Sequence, residues 1–162
     1  MTLRFEKWEG LGNDYLLVDR MDFGDRDPKT WTVRWSDRNF GVGSDGLILV
    51  GADPLSMHIF NADGSEGEMC GNGIRAVAAQ HARRKGGLWS GVVGTKSGDR
   101  QCEVLGLGEA GEDMVTVNMG GATIAVPPAG LTTPFPGVQV DVGNPHYLSL
   151  IHISEPTRPF HI

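Results

Sequence analysis

The chain has 162 residues, 40% of them hydrophobic and 21% charged, with a formal net charge of −6. That composition suits one domain of ordinary size, or one and a fraction, with apolar residues enough for a core, and it argues against disorder. The acidic balance excludes a general nucleic-acid binder, whose phosphate contacts need a basic surface, and no apolar run approaches the roughly 20 residues of a membrane span.

The start, MTLRFEKWEG, carries charges where a signal peptide would be apolar, so the cytoplasm is the expected location. LRFEKW alternates in period two and predicts a strand, and YLLVDR, after a Gly-Asn-Asp turn, predicts its neighbour. Asp27-Pro28 supplies an N-cap and a first helical residue for a helix through Trp31 and Trp35. GLILVG and MHIFNA predict two more strands, separated by the turn-forming Ala52-Asp53-Pro54. From Gly73 to Lys85 the pattern is helical, and Ile74, Val77, Ala78, Ala79 and Ala82 cover more than one face, as in a helix surrounded by protein. Arg83, Arg84 and Lys85 suit its last turn, and Gly86 can close it. SGVVGTKS, RQCEVLGL, MVTVNMG and VQVDVG then follow, all strand-like. One buried helix among many strands predicts an α+β fold, with a mixed, mostly antiparallel sheet wrapped around a central helix. The Pro-rich stretch VPPAGLTTPFPG is the natural linker, and HISEPTRPFHI is a polar tail directly after an apolar strand.

The two cysteines, Cys70 and Cys102, have no metal-ligand spacing, and the histidines are scattered, so no metal site is expected. Cys70 stands directly before Gly71-Asn72-Gly73 and the helix. A thiol at a helix N-terminus sits where unpaired N–H groups and the macrodipole stabilise negative charge. The same N–H groups form an anion site, and glycines let an anion approach the backbone. Cys-Gly-Asn-Gly thus couples a proton-transfer group to a carboxylate or phosphate cradle. The plainer reading is a buried cysteine beside a helix start.

FNADGSEGEMCGNGIRA resembles the first catalytic-cysteine motif of the diaminopimelate epimerases. GLGNDYLLVD at 10–19, GVGSDGLILV at 41–50, VNMG at 117–120 and GNPH at 143–146 resemble that family in the same order. The resemblance implies a cofactor-independent isomerase that interconverts L,L- and meso-diaminopimelate, a lysine and cell-wall precursor, by acid/base proton transfer between two thiols. It further implies a small-molecule substrate, no nucleic-acid or membrane partner, and a homodimer for the full-length form. Carried over by motif, Cys70 resembles one of the two catalytic cysteines, and Gly71 and Asn72 resemble carboxylate-binding backbone. Asn13, Asn61 and Asn144 resemble substrate-contacting asparagines, and His146 resembles a histidine that tunes the thiols. Read without the resemblance, each asparagine is a turn residue and His146 a hydrogen-bonded loop histidine.

Gly46 stands where many members carry a glutamine that touches substrate, so no side-chain role is carried to it. The family has two similar halves with the site between them, and here the resemblance stops shortly after GNPH. The expected organisation is a first lobe over 1–119, a linker and the start of a second lobe over 120–150, and a non-native tail over 151–162. Cys102, in strand-like RQCEVL with no glycine nest beside it, reads as a core residue rather than a replacement second thiol. The family also completes its first lobe with strands from its C-terminal end, so an open sheet edge is expected here. Competing readings are another isomerase of the same two-lobed fold (proline-racemase-like or phenazine-pathway-like), a cysteine hydrolase pairing Cys70 with His146, and a non-catalytic amino-acid-binding lobe.

Overall fold

The computed structural model describes residues 3–107, 112–125, 137–142 and 145–149. The chain divides into two compact units, Met1–Met119 and Gly120–Ile162.

In the first unit, β1 (Glu6–Gly10), β2 (Asn13–Asp19), β3 (Gly46–Ala52), β4 (Leu55–Asn61) and β5 (Glu66–Gly67) form one sheet in that spatial order. Every pairing is antiparallel except β2 with β3, which run parallel. Parallel neighbours need a crossover, and α1 (Arg20–Phe23) and α2 (Pro28–Ser36) lie within this one. As the sequence predicts, Pro28 opens α2 and the Asp27 carboxylate caps it, accepting from the Thr30 N–H at 3.0 Å.

The unbroken apolar runs of β2 and β3 follow from burial on both faces of this sheet. Tyr15, Leu17, Ile48 and Val50 point to one side, into a core shared with Ile74, Val77, Ala78 and Ala82. Leu16, Val18, Leu47 and Leu49 point to the other, where Phe23, Trp31 and Trp35 pack.

The first core belongs to α3 (Gly71–Lys85), which touches β1, β2 and β4 on one side and a second sheet on the other. That second sheet is antiparallel: β6 (Trp89–Val93), β7 (Arg100–Leu107) and β8 (Asp113–Val117). Both sheets can close on α3 because Ala76, Ala78, Ala79 and Ala82 are small, while Ile74 and Val77 fill the remaining space and are fully buried. Each of those two side chains contributes about 1.5–3 kcal/mol by leaving water. Gly86, at φ 99°, ends the helix in the left-handed conformation that glycine adopts without cost, and the Gly87 N–H bonds back to the Ala82 carbonyl at 2.8 Å. The α+β arrangement around a central helix is the one the sequence predicts.

Among the described residues β1 and β8 end their sheets, and both line a groove of about 1140 Å³ with Asn72, Arg75 and Ala79 of α3. The second unit contains an antiparallel sheet of β9 (Thr123–Ala125), β10 (Gly137–Asp141) and β11 (Pro145–Ser149), ordered β11-β10-β9. No helix among the described residues is long and apolar enough to cross a membrane.

Several boundaries differ from expectation. The first strand starts at Glu6 rather than Leu3, and Asn13 and Asp14 belong to β2 rather than to the turn before it. The sixth strand is Trp89–Val93 rather than 90–97, and α1 and β9 carry no signal that the sequence reading used. Helix α3 starts two residues early, at Gly71. Of the Pro-rich stretch 126–137, only Gly137 is described, as the first residue of β10; the tail 151–162 lies outside the described residues.

Candidate active site

The early start of α3 comes from Cys70 itself. Its backbone is extended (φ −135°, ψ 120°), and its Sγ accepts from the Gly73 N–H at 3.4 Å, so the thiol is the helix N-cap. Of the first N–H groups, those of Gly71 and Asn72 are left without an intrahelical acceptor. Cys70 is half-buried, and its Sγ lies 3.3 Å from the Tyr15 hydroxyl. Burial first, then the Cys70 contact and the nearby Asp45 and Asp14 carboxylates, pushes the Tyr15 phenol well above its ordinary range. Tyr15 therefore stays neutral and keeps a proton to donate to the sulfur.

The two glycines of the motif do different work. A Cβ on Gly71 would meet nothing closer than the Met119 Cε at 3.8 Å and the Arg75 Nη1 at 4.0 Å, so one methyl group fits here in ordinary contact and the glycine is not required by packing. A Cβ on Gly73 would lie 2.8 Å from the Ile48 Cδ1, inside the core. The expectation that the glycines leave room for substrate is thus corrected for Gly73, whose missing side chain lets α3 close onto β3.

Asn72 and Asn13 are joined in a polar relay. The Arg75 guanidinium donates to the Asn72 Oδ1, and the Asn72 Nδ2 donates to the Asn13 Oδ1. The Asn13 Nδ2 then donates to the Asp45 Oδ2 at 3.2 Å. Asp45 also accepts from the Asp14 N–H at 3.0 Å and from Arg38 at 2.8 Å. Arg38 reaches Asp14 at 2.7 Å, and Lys7 approaches the same carboxylate at 2.9 Å. Hydrogen bonds from Arg38, then from Lys7, hold the Asp14 carboxyl far below the usual carboxylate range although burial pulls the other way.

These groups meet because element ends converge. Asn13 opens β2, Gly46 opens β3 opposite Tyr15, and Asn61 closes β4 opposite Gly46. Asn61 is exposed and turns its Nδ2 to the Ser65 Oγ at 2.9 Å, so turn chemistry occupies part of that side chain. A Cβ on Gly46 would collide with the Phe60 carbonyl oxygen, which leaves no room for a side chain on this backbone. Asn144 lies outside the described residues; His146 is exposed on β11 of the second unit. Cys102 is 1% exposed in the α3 core, and burial pushes its thiol up to about 11.

Tyr15, Asp45 and Arg75 are absent from the residues the sequence singles out. Tyr15 reads as a strand residue, and its partner Cys70 is 55 positions away; Arg75 bonds to Asn72 one helical turn back, a pairing that becomes visible only once α3 is known to begin at Gly71. Asp45 stands in GVGSDG, one of the motifs that carry the resemblance, and is the most accessible of the three to sequence reasoning.

The model of the diaminopimelate epimerase family matches residues 5–125. Diaminopimelate epimerase of Synechococcus elongatus is 38% identical over 174 aligned positions, covering 93% of this chain and 60% of that protein. That of Bacteroides thetaiotaomicron is 40% identical, covering 92% of this chain and 57% of that protein. The chloroplastic diaminopimelate epimerase of Oryza sativa is 51% identical over 85 positions, which cover 48% of this chain. The chain therefore spans about 60% of the length of the first of these relatives. Among solved structures, a predicted epimerase from Pseudomonas aeruginosa has the same fold, with a TM-score of 0.68 over 91% of this chain at 19% identity.

Proposed function

The chain belongs to the diaminopimelate epimerase family, and from that premise we propose that it carries one thiol of a cofactor-independent epimerase acting on diaminopimelate. The observation that carries this reading is the Cys70 Sγ at the N-cap of α3, 3.4 Å from the Gly73 N–H and next to Gly71, whose missing side chain no core contact requires. The substrate α-carboxylate lies against the Gly71 and Asn72 N–H groups, whose partial positive charge is greatest where carboxylate charge increases in the transition state. The Cys70 thiolate takes the α-proton from one face. As the Cα–H bond breaks, its electron pair delocalises into the carboxylate, and a thiol on the opposite face supplies a proton to the carbon. Asn13, Asn61 and Asn144 contact the substrate, and His146 tunes the thiol pair.

Inversion needs two proton-transfer groups on opposite faces of one carbon. Cys102 is a poor second group, because it is buried and its thiol is pushed up to about 11. In this reading 1–119 is the Cys70 lobe and 120–150 the linker and the start of a second lobe, and the 162 residues alone are expected not to invert substrate. Incubation with L,L-diaminopimelate in deuterated water tests this. No meso isomer is expected, and its appearance, abolished by Cys70→Ala, would overturn the two-thiol requirement.

A further inference from the structure

The relay through Asn13 and Asn72 has a direction. Arginine only donates hydrogen bonds and an ionised carboxylate only accepts them. With Arg75 at one end, the Asn72 Oδ1 must face it, so the Asn72 Nδ2 faces Asn13. With Asp45 at the other end, the Asn13 Nδ2 must face it, so the Asn13 Oδ1 faces Asn72. Either anchor alone orders both amides, and the two agree. Each amide nitrogen has two N–H groups and gives one to the relay, so what each can offer a ligand from that nitrogen is a second donor. Asn72 is the second residue of α3, so its amide is carried on the same first turn as the Gly71 and Asn72 backbone N–H groups, and the Asn13 amide is bonded to it.

We propose that Arg75 and Asp45 are positioning residues that lock the Asn13 and Asn72 amides with their N–H groups toward a bound carboxylate. The proposal rests on the reading that a substrate carboxylate lies at the N-terminus of α3. An unlocked amide can rotate and present its carbonyl, which repels a carboxylate and accepts from a carboxamide. The lock therefore acts on selectivity between those two groups.

Two measurements test it. In the ligand-free 15N-labelled chain, one Nδ2 proton of Asn13 and one of Asn72 should exchange slowly with solvent. Arg75→Met or Asp45→Asn alone should leave them protected, and the double variant, which keeps the net charge unchanged, should lose that protection. The second measurement compares L,L-diaminopimelate with its diamide as competitors of Cys70 alkylation. The intact chain should favour the dicarboxylate, with the preference dropping by about tenfold in the double variant. Asp45→Asn with Arg75→Lys, which restores a donor-only anchor, should keep the preference. Loss of both affinities at an unchanged ratio would reduce Arg75 and Asp45 to structural residues and overturn the proposal, as would unprotected amides in the intact chain. Protected amides with no binding of either ligand would instead sink the carboxylate site and leave the lock standing.

Discussion

Replacing Gly73 by alanine adds one methyl group to the face of α3 that lies against β3. That methyl would stand 2.8 Å from the Ile48 Cδ1 and 3.5 Å from the Met57 Cε. Ile48 is fully buried, so its Cδ1 has no solvent to swing into. Overpacking of this kind costs about 1–3 kcal/mol, and alanine returns at most about 1 kcal/mol through helix propensity, so a net loss of about 1 kcal/mol is expected in urea unfolding. Ile48→Val removes the opposing Cδ1, and on its own it costs about 0.5–1.5 kcal/mol. Combined with Gly73→Ala the same truncation relieves the clash, so it should cost nothing or stabilise. The coupling between the two positions should therefore be about 1 kcal/mol or more. Additive losses would show that Gly73 is not a packing residue.

Gly71→Ala should behave oppositely, leaving stability within about 0.5 kcal/mol because its Cβ meets nothing closer than 3.8 Å, while weakening diaminopimelate binding; unchanged binding in Gly71→Val would mean that no ligand touches that backbone. Tyr15→Phe removes a hydroxyl 3.3 Å from the Cys70 Sγ and should slow Cys70 alkylation at pH 7 by about two- to fivefold; a faster reaction would show a mere steric shield. Cys102 ionises near 9.0 when unfolded and near 11 when buried, so the unfolded chain releases this proton first, and the thiol's contribution to stability, complete below pH 9, is lost as pH rises toward 11. The stability gap between the wild type and Cys102→Ala should therefore narrow by about 2 kcal/mol across that range, and a constant gap in urea melts would contradict the burial argument.

The fold is legible where burial writes directly into the pattern. Tyr15–Val18 and Leu47–Val50 are apolar without a break because helices cover both faces of their sheet. The small, many-faced Gly73–Lys85 pattern marks a helix enclosed by sheets. Its start is misplaced by two residues because Gly71 and Asn72 suit loops, and the Ile74 N–H bond to the Cys70 carbonyl, with the Cys70 sulfur capping Gly73, shows where helical bonding begins. Cys70, Asn13 and Asn72 can be found from their motifs, yet nothing local says that the two asparagines bond to each other across 59 positions. Tyr15 is hidden for a related reason: its strand position explains it fully until its hydroxyl is seen against the sulfur. Gly73 shows the reverse error, in which a glycine beside a reactive group is credited to the ligand while β3 needs the space.

The N-terminus of α3 as a diaminopimelate site is tested most directly by the alkylation of Cys70 in the intact chain, followed by mass spectrometry with and without L,L-diaminopimelate. Saturable protection of Cys70, with Cys102 unreacted throughout and protection lost in Gly71→Val, is the expected result. An alkylation rate indifferent to diaminopimelate at millimolar concentration would contradict it.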